Sequence, residues 1–555
     1  MKLCLSLGLL LPAFVLATGC RKGDTDMSDA FNSITEEQFT NHITTLSSDE
    51  FEGRGPSSAG EEKTLNYLRQ QFAALGLQPG NGDSFLQDVP LVQSTSKYDS
   101  ALHIRGEEQS LDLEYKDAFM AVTRRMEESV ALHQSELVFA GYGITAPEYD
   151  WYDYQYIDVR GKTVVVLVND PGYATEDPDL FNGKAMTYYG RWTYKYEEAA
   201  RQGAAGVIIV HETGPAGYPW EVVRNSWSGP QFYLEAADKN MSRCAVEGWI
   251  TTEAAGELFA AAGLDFKEQK LRALEENFQA TALGLEASFS IRNSIENSMS
   301  HNFLAVWPGT ERSDEFIIYT AHWDHFGIDG TQDGDKIFNG ARDNATGVAA
   351  LLEIARAFTR LPEPPKRSIL FLAVTAEERG LLGSKYYGTH PVYPLTKTVA
   401  AINMDALNIW GRTKDVTVVG YGNSELDEYV QAAAEEQDRY VRPDPEPEKG
   451  GYYRSDHFSF ARQGVPALAM DHGVDHVEKG EEWMREEMDE WIEENYHKPS
   501  DEYRPDEWDL SGAIEDIRLW FDIGHRLSND SALPNWREGT EFKALRDSAM
   551  AEVTE

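Results

Sequence analysis

From about residue 301 the chain alternates between short apolar runs and longer amphipathic stretches. The apolar runs predict buried strands at 303–307, 315–321, 368–374, 398–404, 415–419 and 466–470. Between them, apolar residues recur every three or four positions, which predicts helices at 343–360, 424–437, 481–494 and 509–527. This alternation indicates an α/β fold, with a mostly parallel sheet flanked by helices on both faces.

Two features precede this region. Helical patterns occupy 35–46 and 58–75, and we interpret residues 35–130 as the N-terminal part of the same domain. Residues 131–290 then change character, because strand-like runs such as "GKTVVVLVND" and "GVIIVHE" surround glycine turns. The sequence therefore predicts a β-rich insert at 131–290, a return to the main domain at 291–530 and a C-terminal tail at 531–555.

The first twenty residues, "MKLCLSLGLLLPAFVLATGC", have a charged start, an apolar segment and small residues before Cys20. They resemble a bacterial lipoprotein signal peptide, in which the cysteine is lipidated and becomes the new N-terminus; simple secretion is the alternative. The apolar run is too short to predict a spanning helix. We expect a signal peptide at 1–20, a polar tether at 21–34 and an exported protein that is lipid-anchored at Cys20 to a bacterial membrane, in the outer membrane or facing the periplasm.

Charge and cysteine content narrow the possible functions. The formal net charge of −43 argues against a nucleic-acid partner, since no basic stripe is available to neutralise phosphates. With Cys4 in the signal peptide and Cys20 expected to carry lipid, only Cys244 remains. A single thiol cannot form an intrachain disulfide, and we interpret Cys244 as a buried structural residue.

Polar side chains follow the predicted strands at their carboxyl ends, where open α/β sheets bind ligands. These residues are His322, Asp324, Asp343, Glu377, Glu378, Asp405 and His497. Singly, such residues are helix caps or surface groups, but together they bring two imidazoles and several carboxylates to one rim. The set contains nitrogen and oxygen donors without thiolate, which suits zinc in an open catalytic site. Two metal ions would need a bridging carboxylate.

Five motifs make the interpretation specific: "TAHWDHFG", "NGARDNATGVA", "TAEERGLLGS", "INMDA" and "YHKPSDE". In this order they resemble the motifs of co-catalytic di-zinc exopeptidases, a family that includes bacterial aminopeptidases and glutamate carboxypeptidases. The segment from "ELVFAGYGI" onward resembles the protease-associated domain that is inserted in several peptidase families. The resemblance implies a zinc exopeptidase fold with such an insert.

The resemblance also implies a ligand set for two zinc ions: His322, Asp343, Glu378, Asp405 and His497. Asp343 would bridge the ions. His322 and Glu378 would complete the coordination of one ion, and Asp405 and His497 that of the other.

Two further acids have implied roles. Glu377 would be the general base for a metal-activated water. Because adjacent residues in extended chain point in opposite directions, Glu378 can bind metal while Glu377 faces the water. Asp324 would orient His322 from the second coordination shell, although a simple strand-end turn would explain its position equally well.

The substrate pocket is less specified. The stretch "YYRSDHFSFARQGVPALAM" resembles a family segment that lines the pocket, so Asp456 and His457 are candidate binding residues. Asp456 could instead cap a helix. Tyr496 precedes a ligand, and it could donate to a developing oxyanion or simply pack beside the site.

We expect an aminopeptidase that releases N-terminal residues from peptides. A carboxypeptidase or dipeptidase would use the same zinc set, because the pocket rather than the metal selects the chain end. Arg342 and Arg454 keep that alternative open, since a carboxylate pocket needs cations. A non-enzymatic binding protein of the same fold is the third alternative, but such proteins lose metal ligands, and here the five ligands and the base are present.

Overall fold

The computed structural model of the chain describes residues 27–330 and 334–554. The predicted signal peptide, Cys20 and the start of the tether lie outside the described residues, so lipid anchoring stays a prediction. Within the described ranges, no helix has both the length and the apolarity that crossing a membrane would require.

The centre of the main domain is a sheet whose four inner strands are parallel. In spatial order they are Arg367–Val374, Arg312–His322, Thr398–Asn403 and Ala467–His472. Antiparallel or edge strands continue the sheet on either side: Thr281–Trp307 beside the first, and Asp415–Val419 followed by Tyr440–Pro443 beside the last. All six predicted strands are present, and the predicted fold class is confirmed.

Both faces of this sheet are covered, which explains why its strands are continuous apolar runs. Along Arg312–His322, Ile317 and Tyr319 face one core whereas Phe316 and Ile318 face the other, as the two-residue period of a strand requires. Helices on the first face are Ser28–Ser33, Glu36–Leu46, Ala59–Ala74, Thr346–Thr359, Leu426–Glu436, Gly480–Glu494 and Ser511–Asn529. Leu382–Thr389 and His457–Ala461 cover the second face.

Three boundaries differ from the prediction. The predicted tether ends in a helix, Ser28–Ser33, and its Ala30 is fully buried in the core. The predicted tail is also packed: Trp536 is 2% exposed, and a helix follows at Lys543–Thr554. The helix predicted from Asp343 begins at Thr346, because Asp343 and the residue after it have non-helical dihedral angles.

The strands of the insert belong to the same continuous sheet as those of the main domain and run in mixed directions. The parallel strands of the insert are Ser129–Phe139, Thr163–Leu167, Gly206–Val210 and Val246–Ile250, and its antiparallel strands are Ala101–Arg105, Ser110–Glu114 and Phe119–Val122. Its helices are Pro171–Thr175, Trp192–Arg201, Thr213–Ala216, Trp220–Ser226, Thr252–Ala261 and Phe266–Arg272. Leu102 and Ile104 belong to its core, so this unit begins before the predicted residue 131.

A long antiparallel pair, Leu86–Tyr98 and Thr281–Trp307, runs from the main sheet into the insert and joins the two. Short strands complete the fold at Gln78–Pro79, Thr145–Ala146, Trp151–Tyr152, Gln231–Leu234, Gly327–Ile328 and Ile337–Phe338. Cys244 is fully buried in the insert, and burial raises the pKa of its thiol to about 12. The prediction of an inert structural thiol is therefore confirmed.

Candidate active site

Asp343 lies at the centre of the predicted metal site. One of its oxygens, Oδ1, is 3.2 Å from Nε2 of His322, and the other, Oδ2, is 3.3 Å from Nε2 of His497. Each imidazole has a second carboxylate beside it: Asp405 Oδ1 is 3.2 Å from His322 Nε2, and Glu378 Oε2 is 3.3 Å from His497 Nε2. One carboxylate thus separates two half-sites, each with an imidazole and an acid.

These contacts between side chains do not assign ligands to ions, so the predicted pairing, His322 with Glu378 and Asp405 with His497, stays a prediction. The ring of His497 packs edge-on against Phe326, 4.8 Å between centroids, and its Nε2 contacts Glu378. Ligand atoms of His322, Asp343 and Glu378, the set predicted for one ion, lie within 4.8 Å of one another.

The orientation of His322 is fixed by the main chain. Its Nδ1 lies 3.1 Å from the carbonyl oxygen of Asp324, which can only accept, so Nδ1 carries the proton and donates. The Nε2 lone pair then faces Asp343 and Asp405. The carboxylate of Asp324 is 4.0 Å from Nδ1 and instead accepts the N–H of Glu377 at 3.0 Å. Asp324 therefore orients His322, as predicted, but with its main-chain carbonyl rather than its carboxylate. The carboxylate instead holds the main chain of Glu377.

The two adjacent glutamates lie in a turn rather than in extended chain. Ala376, directly before them, has a left-handed φ of +50°. Glu378 turns toward His497 and toward His325, whose Nδ1 is 2.5 Å from its Oε1. The carboxylate of Glu377 lines the cavity and makes no hydrogen bond within the described part of the chain. The different surroundings expected for the two acids are thus present.

Charge within the site is out of balance. Burial raises the pKa of Glu377 well above its usual value, and Glu378, Asp456 and Asp405 add to this effect against the opposing charge of His322. So many carboxylates can remain ionised together only if cations lie among them.

The donor set fits such cations. Burial alone would lower the pKa of His322, but Asp405, Glu377 and Asp343 outweigh it and raise the pKa well above its usual value. An Nε2 lone pair that faces carboxylate oxygens at 3.2 Å needs a proton or a metal ion between them. Imidazole nitrogen and carboxylate oxygen without thiolate are ligands that catalytic zinc takes. Each of the two half-sites beside Asp343 supplies an imidazole nitrogen and a carboxylate oxygen.

Asp501 supports the bridging residue, and our sequence interpretation did not assign it a role. Its carboxylate accepts the main-chain N–H groups of Arg342 and Asp343 at 3.0 and 3.1 Å, and its carbonyl accepts that of Ala341. Asp501 is 1% exposed. The available signal was its place in "YHKPSDE", four residues after His497.

Arg54 is a second support that the sequence interpretation missed. Its buried guanidinium donates to the carbonyl oxygens of Trp323, Asn339 and Gly340 at 2.9, 2.6 and 2.8 Å. It therefore ties the segment after His322 to the segment before Asp343. The glycine-rich loop "EFEGRGPSSAG", which contains Arg54, has the structural role that its lack of phosphate-loop spacing indicates.

Arg342 does not face the substrate cavity as a free cation. Its guanidinium is enclosed between Trp410 and Trp491, 4.6 and 4.4 Å from the ring centroids. It donates to the carbonyl oxygens at 406–407, directly after Asp405. Arg342 fixes that loop, so its presence no longer argues for a carboxylate pocket.

A cavity of 710 Å³ opens over the site, between the main domain and the insert. Asp343, Glu377, Glu378, Asp405 and His497 line it, which brings all predicted ligands except the buried His322 to its surface. From the insert, Arg191, Phe232 and Tyr233 also line it. The volume falls within the ~300–1,000 Å³ typical of sites for small ligands.

The predicted pocket residues have unequal positions. Tyr496 is 38% exposed, lines the cavity and stacks on His497 with ring centroids 3.7 Å apart. His457 also lines the cavity but is nearly enclosed, and burial lowers the pKa of its imidazole to about 4. Asp456 is fully buried, forms no helix cap, and has its pKa raised by burial to about 6. The capping alternative for Asp456 is wrong.

Part of the chain is similar to known peptidases. The family described as "Peptidase family M28" matches residues 302–521. Among curated relatives, mouse "Aminopeptidase NAALADL1" is 35% identical over 127 residues, 22% of this chain and 16% of its own length. "Aminopeptidase YwaD" of Bacillus subtilis is 26% identical over 234 residues, 41% of this chain and 45% of its own. The matched segments thus span less than half of these relatives.

Among solved structures, "Aminopeptidase from Aneurinibacillus sp. strain AM-1" aligns with 91% of this chain and 97% of its own, at 19% identity and a TM-score of 0.49. The segment that matches the family contains all five predicted ligands and Glu377. Residues 302–521 belong to peptidase family M28.

Proposed function

We propose that this protein is a zinc-dependent aminopeptidase that holds two zinc ions, one on each side of Asp343. The observation that carries the proposal is the division of the Asp343 carboxylate between two imidazoles, each with its own second carboxylate. His322, Glu378, Asp405 and His497 would complete the coordination of the two ions. Family membership and the aminopeptidase relatives support the same activity.

Zinc held in such a site lowers the pKa of water and polarises a peptide carbonyl. The chain supplies the proton transfers. The carboxylate of Glu377 has no competing hydrogen bond within the described residues, and Asp324 holds its main chain in place. Glu377 accepts the proton of the attacking water and returns it to the nitrogen of the leaving amine.

Around this centre, the other residues position the reacting groups. Tyr496 stacks on His497 at the cavity wall, and we assign to its hydroxyl a hydrogen bond to the carbonyl oxygen on which negative charge develops. Asp501 and Arg54 hold the backbone around Asp343 and His322. The insert, which we propose to be a protease-associated domain, provides the wall that faces the substrate.

A carboxypeptidase is the second candidate, and one observation favours it: Arg191 and Arg454 line the cavity. A carboxypeptidase would place the free C-terminus of its substrate against these cations and would accept a blocked N-terminus. The two candidates share the metal site and differ only in the chain end that they require.

A panel of peptides separates them. We expect hydrolysis of peptides with a free N-terminus, including C-terminal amides, and no hydrolysis of their N-acetylated forms. A chelator should abolish activity, and added zinc should restore it. Release of C-terminal residues from N-acetylated peptides would assign the carboxypeptidase instead, and full activity in a verified metal-free preparation would contradict both.

A further inference from the structure

A third imidazole lies beside the predicted metal site, and the mechanism proposed above does not use it. His325 is fully buried, and its Nδ1 lies 2.5 Å from Oε1 of Glu378. The other oxygen of that carboxylate, Oε2, lies 3.3 Å from Nε2 of His497. Glu378 thus divides its two oxygens between one imidazole inside the predicted ligand set and one outside it.

The short contact is a direct hydrogen bond rather than a pair of ligands around one ion. In the tetrahedral arrangement that zinc prefers, bonds of about 2.0–2.2 Å hold two ligand atoms roughly 3.3 Å apart. The 2.5 Å between His325 and Glu378 leaves no room for an ion. It indicates a hydrogen bond to an ionised carboxylate, which is shorter than one between neutral groups.

The proton of this hydrogen bond belongs to His325. As a metal ligand Glu378 is ionised and can only accept, so Nδ1 of the imidazole donates. Nε2 of His325 is buried and has no hydrogen-bond partner within the described part of the chain. A lone pair without a partner costs less there than an N–H group would, which favours the neutral ring with its proton on Nδ1.

The ring of His325 is held firmly in this position. Gly340 has a left-handed φ of +54°, and a Cβ atom there would lie 2.6 Å from Cγ of His325. Any side chain at residue 340 would therefore collide with the ring. The ring also packs edge-on against Phe326, with centroids 4.9 Å apart. A donor with so little freedom can fix the carboxylate that it contacts.

We propose that His325 is a positioning residue for the metal site: its Nδ1–H holds Oε1 of Glu378, so that Oε2 remains the oxygen available as a zinc ligand. The proposal rests on the zinc site proposed above and adds a residue to it. Among the described residues, Glu378 supplies the only carboxylate within 4 Å of the ring nitrogens of His325. His325 therefore acts on the site through this one ligand.

Zinc titration of metal-free protein, with a competing chelator, tests this role. His325→Leu removes the donor, and we expect it to weaken the binding of one of the two ions by ~10- to 100-fold, the usual cost of losing a group that supports a ligand. His325→Asn should restore most of that affinity, because its amide N–H can take the position of the Nδ1–H group.

His42→Leu is the matched control. His42 is also a buried imidazole of the main domain, and its Nδ1 lies 2.6 Å from the hydroxyl oxygen of Tyr67. It contacts none of the predicted ligands, so its replacement should leave the affinity for both ions unchanged.

A double variant separates positioning from a general loss of stability. In a Glu378→Gln protein the ligand is already weakened, so adding His325→Leu should cost much less affinity than the same change costs in the wild-type protein. If His325→Leu does not fold, His325→Gln takes its place in every comparison, since its amide lies one methylene further from the main chain than that of asparagine.

The outcomes are distinct. Wild-type zinc affinity without the donor, or equal losses in the leucine and asparagine variants, would overturn the positioning role and leave the two-zinc proposal standing. Additive losses in the double variant would also overturn it, since His325 would then act by another route. Failure of the wild-type protein to bind zinc would contradict the proposed site itself, and the positioning role with it.

Discussion

Glu377→Gln is expected to lower kcat by ~10²–10⁴-fold, the usual contribution of general acid–base catalysis, while the zinc content stays at the wild-type level. Glutamine has the size of glutamate, but its amide cannot accept a proton from water. The side chain of Glu377 makes no hydrogen bond within the described residues, so its replacement should leave the rest of the site in place. Steady-state kinetics and metal analysis of the same preparation measure both quantities.

Glu378→Gln is the matched control, because it makes the same chemical change one residue away. Unlike Glu377, Glu378 contacts the imidazoles of His497 and His325, and a neutral amide there weakens one half-site. Its activity should fall together with bound zinc and recover in part when zinc is in excess. Loss of zinc from Glu377→Gln combined with full zinc in Glu378→Gln would show that the two roles are reversed.

Asp343→Asn is expected to have the broadest effect, because both half-sites share this carboxylate. Asparagine offers one oxygen and no charge, so neither half-site keeps its anionic bridge. Loss of a supporting group outside the coordination sphere typically costs 10–100-fold in metal affinity or activity, and loss of the bridging ligand should cost more than this ~100-fold limit at both half-sites.

Zinc titration by calorimetry would measure that loss. Asp444→Asn is the control, since Asp444 lines the same cavity but contacts neither imidazole. The Asp444→Asn protein should bind zinc with the wild-type affinity. An Asp343→Asn protein that still binds both ions with wild-type affinity would contradict the bridging role.

The fold could be predicted because its signals are local. The strand Arg367–Val374 is a continuous apolar run, and a parallel strand buried on both faces requires such a run. The carboxyl ends of such strands meet at one rim, so the ligand candidates could be gathered without knowledge of their contacts. The prediction that the ligand candidates lie together is confirmed, because contacts link His322, Asp343, Glu378, Asp405 and His497.

Pairings across the chain could not be predicted in the same way. Arg54 donates to carbonyl oxygens roughly 270 residues further along the chain, and no local pattern indicates that contact. The contact between His497 and Glu378 depends on how a loop after an acidic helix packs against Phe326. The carboxylate of Asp324 points to the main chain of Glu377 because both lie at neighbouring strand ends.

The predicted domain boundaries were wrong for a related reason. Ala30 and Trp536 lie in stretches that are polar on average, and single apolar residues there do not indicate packing. Both are buried because they pack against side chains from elements that are distant in the chain. The early start of the insert has the same origin, since Leu102 packs against strands that follow much later.

The most direct test of this account is the number of zinc ions that full activity requires. Metal-free protein would be titrated with zinc while peptidase activity and bound zinc per chain are measured together. The two half-sites on either side of Asp343 predict that activity reaches its maximum at two bound ions per chain. Full activity at one bound ion, or none, would contradict the co-catalytic site.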